Sequence, residues 1–181
     1  MTFSLVARCA ETGMFGMAIS SSSPAVAARC AYARAGVGAV ASQNITDPTL
    51  GPKTLDAMEQ GLSAPEAVSA VVAEAAHMQY RQLLAVDAAG RTSIHSGANV
   101  LGNWNEAQGR DVASGGNLLD NDRVPAAIVA GFETATGHLE RRAAVKAILG
   151  DTSGDDILFI TGLAGSKNDV LEAVGPDCKR I

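Results

Sequence analysis

The residue best suited to covalent chemistry in this sequence is Thr2. A hydroxyl nucleophile needs a base, and a free N-terminal residue carries one in its own α-amine, whose ordinary pKa is about 7.7–8.0. A small residue at position 2 generally permits removal of the initiator Met1, which would leave hydroxyl and amine together on Thr2. Many proteins have Thr at this position without any catalytic use, so the residue type alone predicts a candidate nucleophile and no more.

Polar residues at the ends of the predicted strands are the candidates for binding a substrate or an oxyanion beside Thr2. Consecutive glycine N–H groups form anion-binding nests and an Asn amide donates hydrogen bonds, which suits Gly116 and Asn117 to this role. The alternative for this Gly-Gly-Asn sequence is a plain turn before a helix. The other candidates at strand ends are Ser20 and Ser21 on one strand and Ser42 and Gln43 on another.

Histidine and cysteine offer weaker signals. The candidate bases are His77, His95 and His138, and none of them has a catalytic partner at a recognisable spacing, so structural roles are favoured. The three cysteines are widely spaced and fit neither a disulfide framework nor a zinc site, so each is expected to be a small buried hydrophobe. Phosphate-binding loops, dinucleotide-binding glycine motifs, Gly-x-Ser-x-Gly and His-Glu-x-x-His are absent from the sequence, so we expect no metal and no cofactor.

Composition limits the classes of partner. The 181 residues suit one domain, 47% of them are hydrophobic, and the formal net charge is −5 without a cluster of Lys or Arg. Nucleic acid and anionic membranes are therefore unfavourable partners, and a small molecule is the expected ligand. No stretch reaches the ~20 apolar residues of a membrane span and no secretory signal is visible, so we expect a cytoplasmic protein.

Hydrophobic periodicity and turn residues predict strands in two groups, each followed by helices. The predicted strands are Thr2–Cys9, Met14–Ser20, Gly36–Ser42, Gln82–Val86, Arg91–His95 and Asp156–Thr161, and Gly97–Gly116 is predicted to be loop-rich. The predicted helices are Pro52–Gly61, one that starts with a capping box at Ser63 and Glu66, Val124–Thr136, Leu139–Leu149 and a short one capped at Ser166–Asp169. Strands and helices are segregated rather than alternating, which favours an α+β fold.

Several segments resemble a known family, the domain of unknown function 1028. The most specific of them is Ala33–Gln43, with the sequence Ala-Arg-Ala-Gly-Val-Gly-Ala-Val-Ala-Ser-Gln. The others are Thr2–Arg8, Glu11–Gly13, Gly61–Ala64, Arg81–Gln82, Val86–Asp87, Gly90 and Gly116–Leu119. The resemblance covers residues 2–142, whereas residues 143–181 depart from the family's pattern.

The resemblance implies a fold more firmly than a reaction. The family is grouped with the N-terminal-nucleophile hydrolases, which implies one domain, residues 1–181, built as a four-layer αββα sandwich, with Thr2 at the position of the nucleophile. It also makes a homo-oligomer the expected state. From these inferences we expect either an amide hydrolase, in which Gly116 and Asn117 or Ser42 and Gln43 stabilise the oxyanion, or a catalytically silent binding or assembly module on the same fold.

Overall fold

The structure, a computed structural model, describes residues 1–135 and the backbone of Leu158–Gly162. The described part contains nine strands, four α-helices and one 3₁₀ turn at Met78–Tyr80. The strands are β1 (Thr2–Arg8), β2 (Phe15–Ser21), β3 (Ala31–Arg34), β4 (Gly38–Gln43), β5 (Gln82–Asp87), β6 (Thr92–Ser96), β7 (Asn105–Gly109), β8 (Val112–Asn117) and β9 (Leu158–Gly162). The helices are α1 (Ala27–Cys30), α2 (Leu50–Glu59), α3 (Ala64–Glu74) and α4 (Val124–Thr134).

The first sheet has the strand order β7-β8-β1-β2-β9, and all its pairs are antiparallel. The predicted hairpin of the first two strands is confirmed, with ends displaced by one residue. Side chains alternate along β1: Phe3, Leu5 and Ala7 pack with α4, whereas Val6 packs between the two sheets. Both faces of β1 are therefore buried. Its first residue lies at the end of the central strand of this sheet.

The second sheet has the order β3-β4-β5-β6 and is also antiparallel. Helices α2 and α3 pack on its outer face through apolar side chains such as Leu55 and Val68. The predicted capping box at the start of α3 is confirmed, since Ser63 Oγ accepts from the N–H of Glu66 at 3.4 Å and the Glu66 carboxylate accepts from the N–H of Ser63 at 2.8 Å. The two sheets face each other through small residues, among them Ala39, Ala41 and Ala113.

The described residues thus form a mixed α+β fold with two antiparallel sheets, as the segregated order of elements predicts. Cys9 and Cys30 are buried, as expected of small apolar side chains. No helix in the described residues is long and apolar enough to cross a membrane.

The prediction of a loop-rich segment at Gly97–Gly116 holds for residues 97–104 and is wrong for the remainder, in which β7 and most of β8 lie. Asn and Gly there suggested loops, but β8 is buried along its whole length and needs small residues. A Cβ at Gly116 would come within 2.8 Å of the Leu119 side chain. Gly115–Asn117 accordingly ends a strand and is not a turn before a helix.

The sequence prediction also lacked α1 and β3, which are four residues each and too short for a periodic signal. The final predicted strand, Asp156–Thr161, corresponds to β9, which pairs with β2. The predicted helix Leu139–Leu149, the cap at Ser166–Asp169, His138 and Cys178 lie outside the described residues.

Candidate functional site

Thr2, at the start of the central strand of the first sheet, lies between two polar neighbours on the adjacent strands. In the strand register it is directly opposite Ser21 on β2 and Asn117 on β8. Residues directly opposite each other in a sheet point to the same face, so the three side chains form one row facing the second sheet. The Thr2 and Ser21 hydroxyl oxygens are 2.8 Å apart, within hydrogen-bonding distance.

A buried network of amides joins this row to the second sheet. The side-chain oxygen Oε1 of Gln82 accepts hydrogen bonds from Gln43 Nε2 at 3.0 Å and from Asn117 Nδ2 at 3.1 Å. Gln82 Nε2 in turn donates to Ser96 Oγ at 3.0 Å. Ser4 lies two residues after Thr2, and its hydroxyl donates a hydrogen bond to the side-chain oxygen Oε1 of Gln43 at 2.6 Å. These polar side chains lie at the inter-sheet position that Val6, Leu84 and others fill with apolar atoms farther along the strands.

The network leaves its two candidate oxyanion donors in different states. A side-chain amide has two N–H donors, and Gln43 uses both, one for Gln82 and one for the carbonyl oxygen of Gly115 at 3.1 Å. Asn117 uses one for Gln82, and its second N–H has no acceptor among the described residues. Of these two side chains, Asn117 is therefore the one that has a hydrogen-bond donor left for a ligand.

A cleft of about 330 Å³ opens over this row. Its polar floor includes Thr2, Ser21, Gln43 and Asn117. Its rim includes three apolar side chains that are 43–54% exposed, Ile45, Leu101 and Leu118. This combination of apolar surface and a few polar groups is the usual chemistry of a small-molecule site.

The backbone beside the cleft is held in an unfavourable region. Asn44, Ile45 and Leu118 line the cleft and have φ angles of 55°, 29° and 53°. Positive φ is uncommon outside glycine, and for a β-branched residue such as Ile45 it is a strong outlier. Such strain tends to be concentrated at functional sites, where the surrounding structure maintains it.

Comparison with known proteins confirms the family seen in the sequence, but the match extends past the predicted limit of residue 142. The family of unknown function DUF1028 matches residues 2–157. The chain belongs to this family. The crystal structure of a DUF1028 protein from Silicibacter pomeroyi has the same fold with a TM-score of 0.85 and 26% sequence identity, and the alignment covers 96% of this chain and 80% of that one. No protein with a curated description matches the sequence.

Of the predicted site residues, Thr2, Ser21, Gln43 and Asn117 come together in this DUF1028 chain, whereas Ser20, Ser42 and Gly116 do not line the cleft. The reason is the two-residue period of a strand, because each of the three is adjacent to a residue that faces the cleft. Ser42 donates instead to the carbonyl oxygen of Asp47 at 3.2 Å. The Ser20 hydroxyl is buried without a hydrogen-bond partner among the described residues.

Three further residues of the site were not singled out from the sequence: Ser4, Gln82 and Arg29. Ser4 could have been found from the sequence, because it lies two residues after Thr2 and therefore on the same face of β1. Gln82 could not, because its partners lie on β4, β6 and β8, far away in the sequence. Only the packing of one sheet on the other brings these amides together.

Met1 is attached to the nitrogen of Thr2 and has contacts of its own. Its ammonium group donates to Ser22 Oγ at 3.1 Å, and its carbonyl oxygen accepts from the Ser22 N–H at 3.2 Å and from Ser21 Oγ at 3.3 Å. In this state the Thr2 nitrogen belongs to a peptide bond and is not basic. Removal of Met1 would turn this nitrogen into a free α-amine.

Other titratable groups contribute less to this site. Burial raises the pKa of the Cys30 thiol, which lines the cleft, although the hydroxyl of Thr46 at 3.6 Å lowers it in part. His95 pairs with the carbonyl oxygen of Met78 at 3.0 Å, and neither His77 nor His95 lines the cleft. In the described part of the chain, no three His, Cys, Asp or Glu side chains are grouped as metal ligands would be.

Proposed function

We propose that this chain is an N-terminal-nucleophile hydrolase that cleaves an amide bond with Thr2 after Met1 has been removed. The observation that carries the proposal is the position of Thr2 on the floor of the cleft, directly opposite Asn117 in the strand register. The placement of α4 outside one sheet and of α2 and α3 outside the other supports a four-layer αββα sandwich of that superfamily.

The reaction needs few groups. The neutral α-amine of Thr2 takes the hydroxyl proton while Oγ1 attacks the carbonyl carbon of the substrate amide. The negative charge that forms on the carbonyl oxygen is stabilised by the remaining N–H of Asn117, which is held in place by Gln82. The Thr2 ammonium then protonates the leaving amine, and an ester links the acyl group to Oγ1. Water then attacks this ester while the Thr2 α-amine again acts as the base, and a carboxylic acid is released.

Ser21 contributes to positioning. Its hydroxyl is 2.8 Å from Thr2 Oγ1 and accepts from the N–H of Ser23 at 3.1 Å. A serine with its oxygen thus occupied orients the Thr2 hydroxyl within the row. Preorganisation of this kind contributes to catalysis because the nucleophile loses little freedom on reaching the transition state.

The test starts with the intact mass of untagged protein expressed from its native start, which decides whether Met1 is removed. Processed protein is then incubated with a panel of small amides, alongside Thr2→Ala and Thr2→Ser. We expect hydrolysis by the wild type, a loss of roughly 1000-fold or more in Thr2→Ala, and partial activity in Thr2→Ser. Ser42→Ala is the control for a buried hydroxyl outside the cleft. Undiminished turnover in Thr2→Ala would overturn the proposal.

A second candidate is a binding module without catalysis on the same fold. The contacts of Met1 with Ser21 and Ser22 favour it, because a retained Met1 has a defined place beside the cleft. Retention of Met1 in the mass spectrum, together with tight binding of a small molecule that is recovered unchanged, is the result expected for this function.

A further inference from the structure

The charge in the cleft is unbalanced. In the described residues its lining includes one arginine, Arg29, and no Asp, Glu, Lys or His side chain. A cation that faces a cleft without an anion attracts a negatively charged group of a ligand, and the low polarity of the rim strengthens that attraction.

Arg29 differs in this respect from other arginines of the molecule. Arg8, Arg34, Arg81 and Arg91 each contact a carboxylate within 3.1 Å. Arg29 forms no such ion pair with any described residue. An arginine without a carboxylate partner keeps most of its five N–H donors for a ligand.

The Arg29 side chain is nevertheless held in place. Its Nη1 donates to the carbonyl oxygen of Pro24 at 3.1 Å, and its own carbonyl oxygen accepts from the Tyr32 hydroxyl at 2.9 Å. Arg29 as a whole is partly buried, and one N–H of its guanidinium donates to the backbone in a solvent-exposed hydrogen bond. A planar group fixed in this way presents its remaining donors in the fork geometry that matches a carboxylate.

The rim supplies the second element of recognition. Ile45, Leu101 and Leu118 are large apolar side chains that remain 43–54% exposed although they surround a polar floor. A ligand that covers them removes apolar surface from water, which favours binding. The two elements together describe a ligand with one negative charge and an apolar part.

We propose that the cleft selects amides that carry a carboxylate and an apolar group, such as N-acylated apolar amino acids, with the carboxylate on Arg29. This inference rests on the proposed function and names its substrate class. The amide of such a ligand lies over Thr2 and Asn117, its apolar part lies on the rim, and hydrolysis with water gives a carboxylic acid and a free amino acid.

Binding to Thr2→Ala tests the inference without turnover. The probes are N-acetyl-leucine and N-acetyl-leucinamide, which differ only in the carboxylate, and calorimetry or NMR titration measures both dissociation constants. We expect the carboxylate to bind roughly 10- to 100-fold more tightly, as charge-assisted hydrogen bonds require. Arg29→Gln should reduce the ratio to about one, while Arg29→Lys should keep part of it.

Arg123→Gln is the matched control, because it removes the same charge from a residue that does not line the cleft. It should leave the preference unchanged. Equal binding of the two probes, a preference that survives in Arg29→Gln, or tighter binding of a matched phosphonate than of the carboxylate would each overturn the inference.

The failure of this inference is distinguishable from the failure of the proposed function. The wild-type protein could prefer the carboxylate through Arg29 and yet cleave neither N-acetyl-leucine nor any other amide. That result would support the ligand class and overturn the proposed hydrolase activity. Hydrolysis of uncharged amides that is as efficient as that of carboxylates retains the hydrolase and removes the ligand class.

Discussion

The two ends of strand β5 both bury a polar residue, but they satisfy it in different ways. At one end, Asp87 faces α3 and accepts hydrogen bonds from the N–H groups of Ala64, Ala89 and Arg91 and from the Arg91 guanidinium. Three of these four bonds come from within four residues of Asp87, in the turn to β6. The carboxylate therefore stabilises a local turn and links it to the start of α3.

At the other end, Gln82 faces the first sheet and exchanges hydrogen bonds with residues from three other strands. These are Gln43 on β4, Ser96 on β6 and Asn117 on β8. These hydrogen bonds fix the positions of the side chains in the buried network, which lies directly beside Thr2 and the cleft. The comparison indicates that the Asp87 end serves the fold and that the Gln82 end positions the site.

The turns at the two ends differ in the same sense. Near Asp87 the chain reverses mainly through glycines with positive φ, namely Gly13, Gly36 and Gly90. Around the cleft, positive φ angles belong to Asn44, Ile45 and Leu118, whose side chains line the cleft, as well as to Gly102. Glycine makes a turn at little cost, whereas a side chain kept in this conformation indicates that its contacts matter more than the strain.

The largest expected effect is on turnover at the cleft end. Asn117→Ala removes the donor proposed for the oxyanion and should lower kcat for amide hydrolysis about 100-fold or more. The Gln82 carbonyl oxygen keeps its bond from Gln43, so the fold should persist, which a thermal melt checks. Asp87→Asn, at the other end of β5, should leave kcat unchanged. Equal losses in the two variants would remove the functional distinction between the ends.

Stability should respond strongly at the same end. Gln82→Leu deprives both Gln43 Nε2 and Asn117 Nδ2 of an acceptor within a buried site, and we expect the free energy of unfolding to fall by about 3 kcal/mol in urea titrations. Ser96→Ala removes a single partner of Gln82 and should cost about 1 kcal/mol. If Gln82→Leu were neutral, the network would not be what joins the two sheets.

The Asp87 end should be distinguished by pH. Burial by itself raises the pKa of the Asp87 carboxyl, but its hydrogen bonds from Ala64, Arg91 and Ala89 outweigh this and hold the pKa below its ordinary value of 3.8. A lowered pKa stabilises the folded state above pH 3.8, and this contribution is lost as the pH falls through the folded-state pKa. Asp87→Asn should therefore cost about 2 kcal/mol at pH 7 and less at pH 3. A cost independent of pH would contradict the role of the charge.

The smallest expected effect concerns the strained backbone. Asn tolerates positive φ better than Leu, so Leu118→Asn should stabilise the protein by up to about 1 kcal/mol in thermal unfolding, while it removes one apolar group of the rim. Gly90→Ala, at a φ of 81° and against the Asp111 side chain, should destabilise it instead. Destabilisation by Leu118→Asn would show that packing, and not strain, dominates at the rim.

Sequence reasoning succeeds where the interactions are local. The β1–β2 hairpin depends on neighbouring residues and on the turn at Gly13, and the start of α3 depends on Ser63 and Glu66, three residues apart. The candidacy of Thr2 likewise needs only its type and its position. Strand β8 escaped prediction because its Gly and Ala residues are favoured by the close packing of their neighbours and not by intrinsic propensity.

By itself, then, the sequence determined the α+β class, the family, and the candidate residues Thr2, Gln43 and Asn117. The tertiary structure alone decided which polar residues meet. A shift of one residue along a strand turns a side chain to the opposite face, which separates Ser42 from Gln43 and Gly116 from Asn117. The tertiary structure also joined Gln82 to the site, because hydrogen bonds between distant strands form only after the two sheets have packed together. It likewise placed Arg29 at the cleft.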